Sequence, residues 1–335
     1  LLKKKGYDVI GIYMYNWENK NCMWEDIRYA MLISNKLKIP FYVLDLRKEY
    51  KNKVVDYMIN GYKKGITPNP DIICNLKIKF GIFLKKALKL NVDYIATGHY
   101  VKKKKSIKNN KSIYSIYIGK DKIKDQSYFL CRLNQYQLSK SLFPLANYTK
   151  SQVRKLAFKL KFYNYNKKDS QGLCFIGKIN LINFLEKKIP NKIGSIVYIS
   201  SKKKVKIGNH IGSYYYTIGQ RKHLNISGQK YPLYLLNKNI KKNIIYVSKK
   251  NYKKLYKRII FIKYETIHWI INIFKGKKII VMSKIRYNIY YSKALLYKKK
   301  HGLLVKFFRK QYAITPGQFI VWYLNNELIG SGIIN

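Results

Sequence analysis

The sequence predicts an α/β domain built on a parallel sheet, followed by two small β-barrel-like units. Two observations carry this. Over residues 1–178, apolar strand-like runs alternate with segments of helical spacing, the rhythm of strand–helix–strand units. Beyond that point, short alternating runs broken by Gly, Asn and Lys dominate, as in all-β structure. A length of 335 residues suits two or three domains, and the expected boundaries are 1–178, 179–250 and 251–335.

The elements follow in order. Residues 9–14 are an apolar strand, and residues 26–37 place Ile27, Ala30, Ile33 and Leu37 on one helical face. A second strand at 41–46 precedes a helix over 50–62. Gly65 to Asn75, carrying Pro68 and Pro70, reads as a loop. A helix over 78–90 and a strand at 94–97 complete the α/β rhythm. Ligands of parallel sheets bind beyond the carboxyl ends of the strands, so Met14 and the pair Gly98-His99 fall at the expected ligand edge. Residues 102–118 form a hairpin. Residues 148–160 form a helix whose Val153, Leu156, Ala157 and Leu160 share a face. The β runs are 195–199, 213–218, 232–236, 243–247, 278–282 and 303–308.

Composition bounds the function. Hydrophobic residues make up 47% of the chain, which excludes a disordered protein. Lys and Arg number 69 against 15 Asp and Glu, a formal charge of +54, and such a field attracts polyanions, nucleic acid first among them. The accompanying excess of Ile, Asn and Tyr, with 33 tyrosines, indicates coding drift towards A and T. Drift inflates lysine on solvated faces, so a run such as 102–105 reads as solvated loop. The scarce acids carry more information: Asp71, Asp125 and Asp169 all fall in motif-like segments. Four cysteines without a CxxC pair give no zinc signature, no other metal site and no disulfide framework. No apolar run is long enough to span a bilayer and no signal peptide opens the chain. The expectation is a soluble, cytoplasmic protein without a membrane partner.

Cys74 and Cys174 stand apart. The first lies in Thr67-Pro68-Asn69-Pro70-Asp71-Ile72-Ile73-Cys74-Asn75, and the second in Lys168-Asp169-Ser170-Gln171-Gly172-Leu173-Cys174-Phe175-Ile176-Gly177. Basic surroundings favour the thiolate, the nucleophilic form. A pair of such thiols is what sulfur transfer requires. A lone cysteine is also commonly a small buried hydrophobe, the reading given to Cys22 and Cys131. An aspartate after proline is likewise a common turn or cap residue, and that alternative stays open for Asp71.

Further segments share this quality: Gly11-Ile12-Tyr13-Met14-Tyr15-Asn16-Trp17, Asp93-Tyr94-Ile95-Ala96-Thr97-Gly98-His99-Tyr100, Lys124-Asp125-Gln126-Ser127-Tyr128-Phe129-Leu130, Tyr216-Thr217-Ile218-Gly219-Gln220-Arg221-Lys222, Arg286-Tyr287 and Thr315-Pro316-Gly317-Gln318. In this order and spacing, the chain resembles the bacterial-type tRNA 2-thiouridylases, PP-loop enzymes of the adenine nucleotide α-hydrolase-like fold. The resemblance implies ATP-dependent adenylation of C2 of the wobble uridine, U34, followed by attack of a persulfide sulfur to give 2-thiouridine. It implies ATP with Mg as cofactor, bound in part by Met14 and Gly98. A donor protein, a cysteine desulfurase or a relay carrier, supplies the persulfide sulfur. By the same match Cys174 carries the persulfide, Cys74 is the nucleophile that closes a transient Cys74–Cys174 disulfide, and Asp71 accepts or donates a proton. Asn69, Pro70 and Asp71 meet the target base, which must be splayed from the anticodon stack. By the same match His99, Lys124, Asp125 and Gln126 meet tRNA, with an ordinary strand-end histidine the alternative for His99, and Arg286, Tyr287 and Gln318 hold the anticodon arm.

The chain departs from the family at two places. The family's Ser-Gly-Gly-Val-Asp-Ser-Ser phosphate loop aligns before Leu1, so the 335-residue polypeptide by itself is expected to bind ATP poorly. The alternative reading is therefore a tRNA-binding remnant without activity. The family also prefers glycine where this chain has His223, Asn225 and Ser227, which expects a reshaped turn. A 2-thiocytidine synthase is disfavoured because the CxxC iron–sulfur pattern is missing. A redox-sensing switch built on Cys74 and Cys174 is a further reading.

Overall fold

The computed structural model describes residues 1–18, 20–167, 181–201, 203–271, 274, 276–287 and 290–335; of residues 20–22 it describes the backbone. The chain divides into two units. One comprises Leu1–Asp56, Pro70–Ile179 and Asn325–Leu328, the other Tyr57–Asn69, Asn180–Leu324 and Ile329–Asn335.

In the first unit, β1 (Gly11–Tyr15) pairs in parallel with β2 (Phe41–Asp45), in the register Gly11↔Phe41 to Tyr15↔Asp45. The connecting helix α1 (Lys20–Leu37) makes this an expected strand–helix–strand unit, although it starts earlier than its apolar spacing indicated. Gly11 is needed for this packing, since a Cβ there would lie 2.8 Å from Ser34 Oγ on α1. After β2, helical backbone runs through α2 (Arg47–Tyr50), a π-helical segment (Lys51–Val55) and α3 (Asp56–Lys63).

The expected loop over 65–75 is half right. Its irregular part ends at Asn69, and α4 (Pro70–Ile73) continues into a π-helical segment (Cys74–Phe83) and α5 (Leu84–Leu88). Proline in the first helical turn has no N–H to leave orphaned and a φ already set for helix. An acid in that turn, here Asp71, complements the helix N-terminus. Proline therefore starts this helix rather than extending the loop. Asp71 and Cys74 ride on it three residues apart.

The π-helical stretch is supported from outside. Gln137 Nε2 donates to Phe80 O at 2.8 Å and to Leu76 O at 3.2 Å. Gln137 also closes a capping box with Asn134 at the start of α6 (Gln135–Ser139). A second parallel pair, β3 (Ile95–Ala96) with β6 (Ser141–Leu142), leads from Ala96 through Thr97 and Gly98 to His99. The expected hairpin is β4 (Val101–Lys108) and β5 (Lys111–Ile118), beside which Glu327 and Leu328 pair with Tyr117 and Ile116. The expected 148–160 helix is α7 (Lys150–Lys159), capped by Thr149 and Gln152.

In the second unit, a short helix α8 (Leu181–Glu186), absent from the sequence reading, buries Phe184 and Leu185. A four-stranded sheet follows in the order β8 (Lys204–His210), β7 (Gly194–Ile199), β10 (Ile244–Lys249), β9 (Leu233–Asn239). A larger antiparallel sheet runs β11 (Tyr256–Lys263), β15 (Gly302–Tyr312), β14 (Ser292–Lys299), β13 (Lys278–Lys284), β16 (Phe319–Leu324), β17 (Glu327–Ile333), with β12 (His268–Trp269) paired to β17. Alternate residues of these strands, among them Ile260, Ile262, Val281, Ala294, Leu296, Val305 and Phe307, close one core around Trp322. Fully burying such a side chain contributes about 1.5–3 kcal/mol.

The strand expected at 213–218 is instead a 3-10 turn (Ser213–Tyr215) followed by irregular backbone. Tyr215 and Tyr216 are both buried. A hydrogen bond from Tyr215 N to Gly212 O closes the turn there in place of strand pairing. Of the positions where the family prefers glycine, His223 and Asn225 do adopt positive φ, 60° and 51°. Among the described residues, no helix is long and apolar enough to cross a membrane.

His99 is 8% exposed, packed between the rings of Phe80 and Phe143, with Thr97 Oγ1 2.8 Å from its Nδ1. Burial, with a smaller contribution from Lys79, pushes its pKa down to about 3. As pH falls below 6.5, the unfolded chain takes up a proton that the native state refuses, so stability falls as pH drops towards 3. His99→Gln is expected to remove on the order of a few kcal/mol of this acid-side loss, read as a flatter pH dependence of the urea midpoint between pH 6.5 and 4. Gln137→Ala should cost about 2 kcal/mol through its lost cap and two orphaned carbonyls, read as a lower urea midpoint with unchanged slope.

Candidate active site

The motif segments gather into two groups, one in each unit. In the first unit the helix carrying Asp71 and Cys74 meets the 124–130 segment: Asn75 Nδ2 donates to Asp71 O at 3.1 Å and to Phe129 O at 3.4 Å. That segment in turn holds the backbone after His99. Tyr100 N donates to Gln126 Oε1 at 3.2 Å, and Gln126 N to Tyr100 O at 3.4 Å. Asp125 is 1% exposed and accepts from Ser127 N at 3.2 Å and Ser127 Oγ at 2.8 Å. It fixes the turn into the 3-10 helix Ser127–Leu130. Asp125 and His99 are thus interior groups. Lys124 is half-buried, its N–H bonded to Asp121 Oδ1.

Burial raises the pKa of the Asp71 carboxyl, against a smaller lowering by Lys79. Cys74, one helical turn on, is 4% exposed, and Cys131 is fully buried. An i, i+3 pair lies on one helix face, so Asp71 and Cys74 present a carboxyl and a thiol to the same side. Met14 is the penultimate residue of β1. The carboxyl ends of β1 and β2 open on a cavity of about 790 Å³ lined by Trp17, Glu18, Asp45 and Arg47. Hydrogen bonds from Arg47 hold the Asp45 carboxyl below its usual range, and the guanidinium sits 4.5 Å over the Tyr15 ring. Gly98 is exposed, and a Cβ there would meet only Leu145 Cδ1 at 3.7 Å.

The second group surrounds residues 67–69. Thr67 N donates to Pro316 O at 2.9 Å, and Thr67 Oγ1 lies 3.1 Å from Thr217 Oγ1. Gln318 Nε2 donates to Thr67 O at 2.8 Å and Pro68 O at 3.2 Å, while its Oε1 accepts from Asn69 Nδ2 at 3.4 Å. The Arg286 guanidinium donates to Ala313 O, to Thr315 Oγ1 and, at 3.4 Å, to Ile218 O. Tyr287 is half-buried, with Lys284 Nζ 3.5 Å from its carbonyl and 5.9 Å from its ring.

The structure thus brings the helix of Asp71 and Cys74 together with His99, Asp125 and Gln126 in one cluster, and Asn69 with Gln318 in another that Arg286 braces. Cys174, with the rest of its segment, and the Cys22 side chain lie outside the described residues. Sequence reasoning missed Asn75, Thr67, Thr217 and Gln137 as parts of these clusters. The first three lie inside quoted motifs, so the signal was present without an assigned role. Gln137 had none beyond its N3 position after Asn134, a capping-box spacing.

Comparison with known proteins finds family matches along the whole chain. Residues 1–178 match a family described as the tRNA methyl transferase HUP domain. Residues 182–249 match its PRC-barrel domain, and residues 261–334 the aminomethyltransferase beta-barrel domain. The predicted fold class, a nucleotide-type α/β domain followed by two β-barrel domains, is thereby met. The chain is 52% identical over 360 residues to the tRNA-specific 2-thiouridylase MnmA of Karelsulcia muelleri, covering all of this chain and 94% of the relative. It is 43% identical to MnmA of Flavobacterium johnsoniae, over all of this chain and 95% of that protein. It is also 43% identical to MnmA of Mycoplasma mycoides, over all of this chain and 94% of that one. Matches of this extent make the chain a member of the tRNA-specific 2-thiouridylase family of tRNA sulfurtransferases.

Proposed function

We propose that this chain converts the wobble uridine of tRNA to 2-thiouridine in the cytoplasm, using ATP and a persulfide sulfur delivered by a donor protein. The observation that carries the reading is the helix starting at Pro70, which presents a desolvated carboxyl and a thiol on one face directly after Asn69. The base is splayed from the anticodon and received by Asn69, Pro70 and Asp71. A carboxylate whose pKa is raised by burial is a stronger base than an exposed one. Asp71 accordingly takes the proton from N3 of the uridine, which makes the C2 oxygen a better nucleophile.

Met14 and Gly98 would hold ATP with its Mg, and the fit favours this. A Cβ at Gly98 would meet only Leu145 Cδ1 at 3.7 Å and its φ does not demand glycine, which leaves this backbone open to an approaching ligand. When bound, ATP supplies the adenylyl group that turns the C2 oxygen into a leaving group. The terminal sulfur of the Cys174 persulfide then bonds to C2, the C2–O bond breaks with the oxygen leaving as AMP, and Asp71 returns the proton to N3. The Cys74 thiolate attacks the Cys174 sulfur, the persulfide S–S bond breaks, and its electron pair departs with the transferred sulfur. A Cys74–Cys174 disulfide forms, and an external dithiol reductant restores both thiols.

Lys124 and Tyr287 contribute direct tRNA contacts, while buried His99 and Asp125, with Gln126 and Arg286, shape the backbone that carries them. The surplus lysines add phosphate attraction that weakens steeply with salt.

Cys74→Ser and Cys174→Ser should each abolish 2-thiouridine, measured by mass spectrometry of tRNA nucleosides, with tRNA binding retained. Full thiolation by either variant overturns this reading. Asp71→Asn tests the acid. A carboxyl whose folded pKa is raised penalises the native state above the unfolded pKa, so the amide should stabilise the protein at pH 7. The same change should slow thiolation by about 10²-fold or more.

A further inference from the structure

The best-defined network in the second unit surrounds a segment that cannot satisfy itself. In Thr67-Pro68-Asn69-Pro70, the two prolines lack N–H groups and push the residues before them into extended backbone. The carbonyls of Thr67 and Pro68 therefore have no helix or ladder donor of their own, yet Pro68 is buried. Gln318 Nε2 donates to both carbonyls and Gln318 Oε1 receives the Asn69 amide. Thr217 meets the Thr67 hydroxyl and also the buried Tyr62 hydroxyl.

The groups that make these bonds are themselves preset. Thr315–Gln318 forms a turn with Gln318 N bonded to Thr315 O, Pro316 second and Gly317 third at φ 89°, the arrangement of a type II turn. A Cβ on Gly317 would sit 2.9 Å from Thr67 O and 3.0 Å from Ile66 Cβ. Only glycine lets the turn reach the segment while tolerating that φ. Thr217–Gln220 is a second turn, with Gln220 N bonded to Thr217 O and Gly219 third at φ 85°. Arg286 braces both regions through Ile218 O, Ala313 O and Thr315 Oγ1. Gly61, where a Cβ would lie 2.8 Å from Pro68 Cγ, gives the proline ring its space.

We propose that Thr217 and Gln318 are positioning residues of the thiolation site, holding Thr67–Asn69 in the one extended course that leads into the Asp71–Cys74 helix. This rests on the assignment of Asn69 to Cys74 as base-receiving and sulfur-transferring residues. Gln318 then acts on the rate of reaction through the segment it bonds, and tRNA affinity comes from other groups. Misplacing a reacting group by about 1 Å can cost roughly 10²-fold.

The test compares the full-length protein with Gln318→Glu, whose carboxylate cannot donate to the two carbonyls, and with the milder Thr217→Val. Two readouts are taken: thiolation at saturating tRNA together with tRNA affinity, and amide exchange of Thr67 without tRNA. The expected result is thiolation slowed about 10- to 100-fold in Gln318→Glu and several-fold in Thr217→Val, with tRNA affinity within about threefold. Thr67 exchange should rise at least tenfold in Gln318→Glu. Weaker tRNA binding with an unchanged rate at saturation would show that Gln318 grips RNA directly and would overturn the proposal, as would Thr67 exchange that stays at the wild-type rate. If Gln318→Glu does not fold, Thr217→Val decides by the same two readouts. Absence of 2-thiouridine from the wild-type protein refutes the proposed function, and the exchange measurement still judges the clamp.

Discussion

Two prolines in four residues impose the constraint on which this architecture turns. Thr67-Pro68-Asn69-Pro70 has lost two backbone donors, so its carbonyls must find partners outside ordinary secondary structure. Gln318, Pro316 and Thr217 answer that demand on one side. On the other, the second proline is what allows a helix to begin, because its missing N–H falls among the donors a helix start leaves orphaned anyway. The same chemistry that breaks regular structure at 67–69 restores it at 70. A chemically loaded segment is thereby rigid without being part of a sheet.

The helix that follows has its own irregularity and its own remedy. A π-helical stretch shifts carbonyls away from their usual donors, and such stretches collect at functional positions. Gln137 meets two of those carbonyls, and Asn75 ties the first turn to the 127–130 segment. Neutral amide side chains, Gln137, Asn75, Gln126 and Gln318, therefore do most of the bracing around both clusters. In a chain of +54 this is physically sensible. An amide supplies donor and acceptor together and holds geometry at any salt concentration, whereas exposed ion pairs contribute little and are screened.

How much was legible follows from these details. The α/β-then-β order, the hairpin and the helix over 150–159 were readable because period and breakers agree there. The start of the cysteine helix was not, because proline signals both loop and helix start, and only the partners of 67–69 decide between them. Tyr215 and Tyr216 imitate a strand in composition while both turn inward, which tertiary packing alone dictates. Motif residues were recognisable as a set, but their division of labour was not. His99, Asp125 and Arg286 read from sequence as RNA contacts, and the structure shows what the sequence did not, their parts in interior packing, a turn and a brace. Burial is not encoded in the identity of a single polar residue. Gly98 shows the converse, since a glycine that neither φ nor packing requires is informative only once its surroundings are visible.

Asp71 poses the sharpest competition between effects. A carboxylate in a chain with a large positive excess should titrate low, and Lys79 does pull it in that direction. Burial nevertheless prevails and the pKa is raised. The reason is range. Lysines on the surface are screened by water and salt over roughly 8–10 Å, whereas desolvation acts on the group itself and is not diluted by distance. Global charge can thus rise with little effect on the acid, provided that the helix start at Pro70 stays packed. The steep drift towards lysine in this sequence is tolerable for that reason: it changes the field around the molecule while leaving the pKa of the desolvated carboxyl under local control.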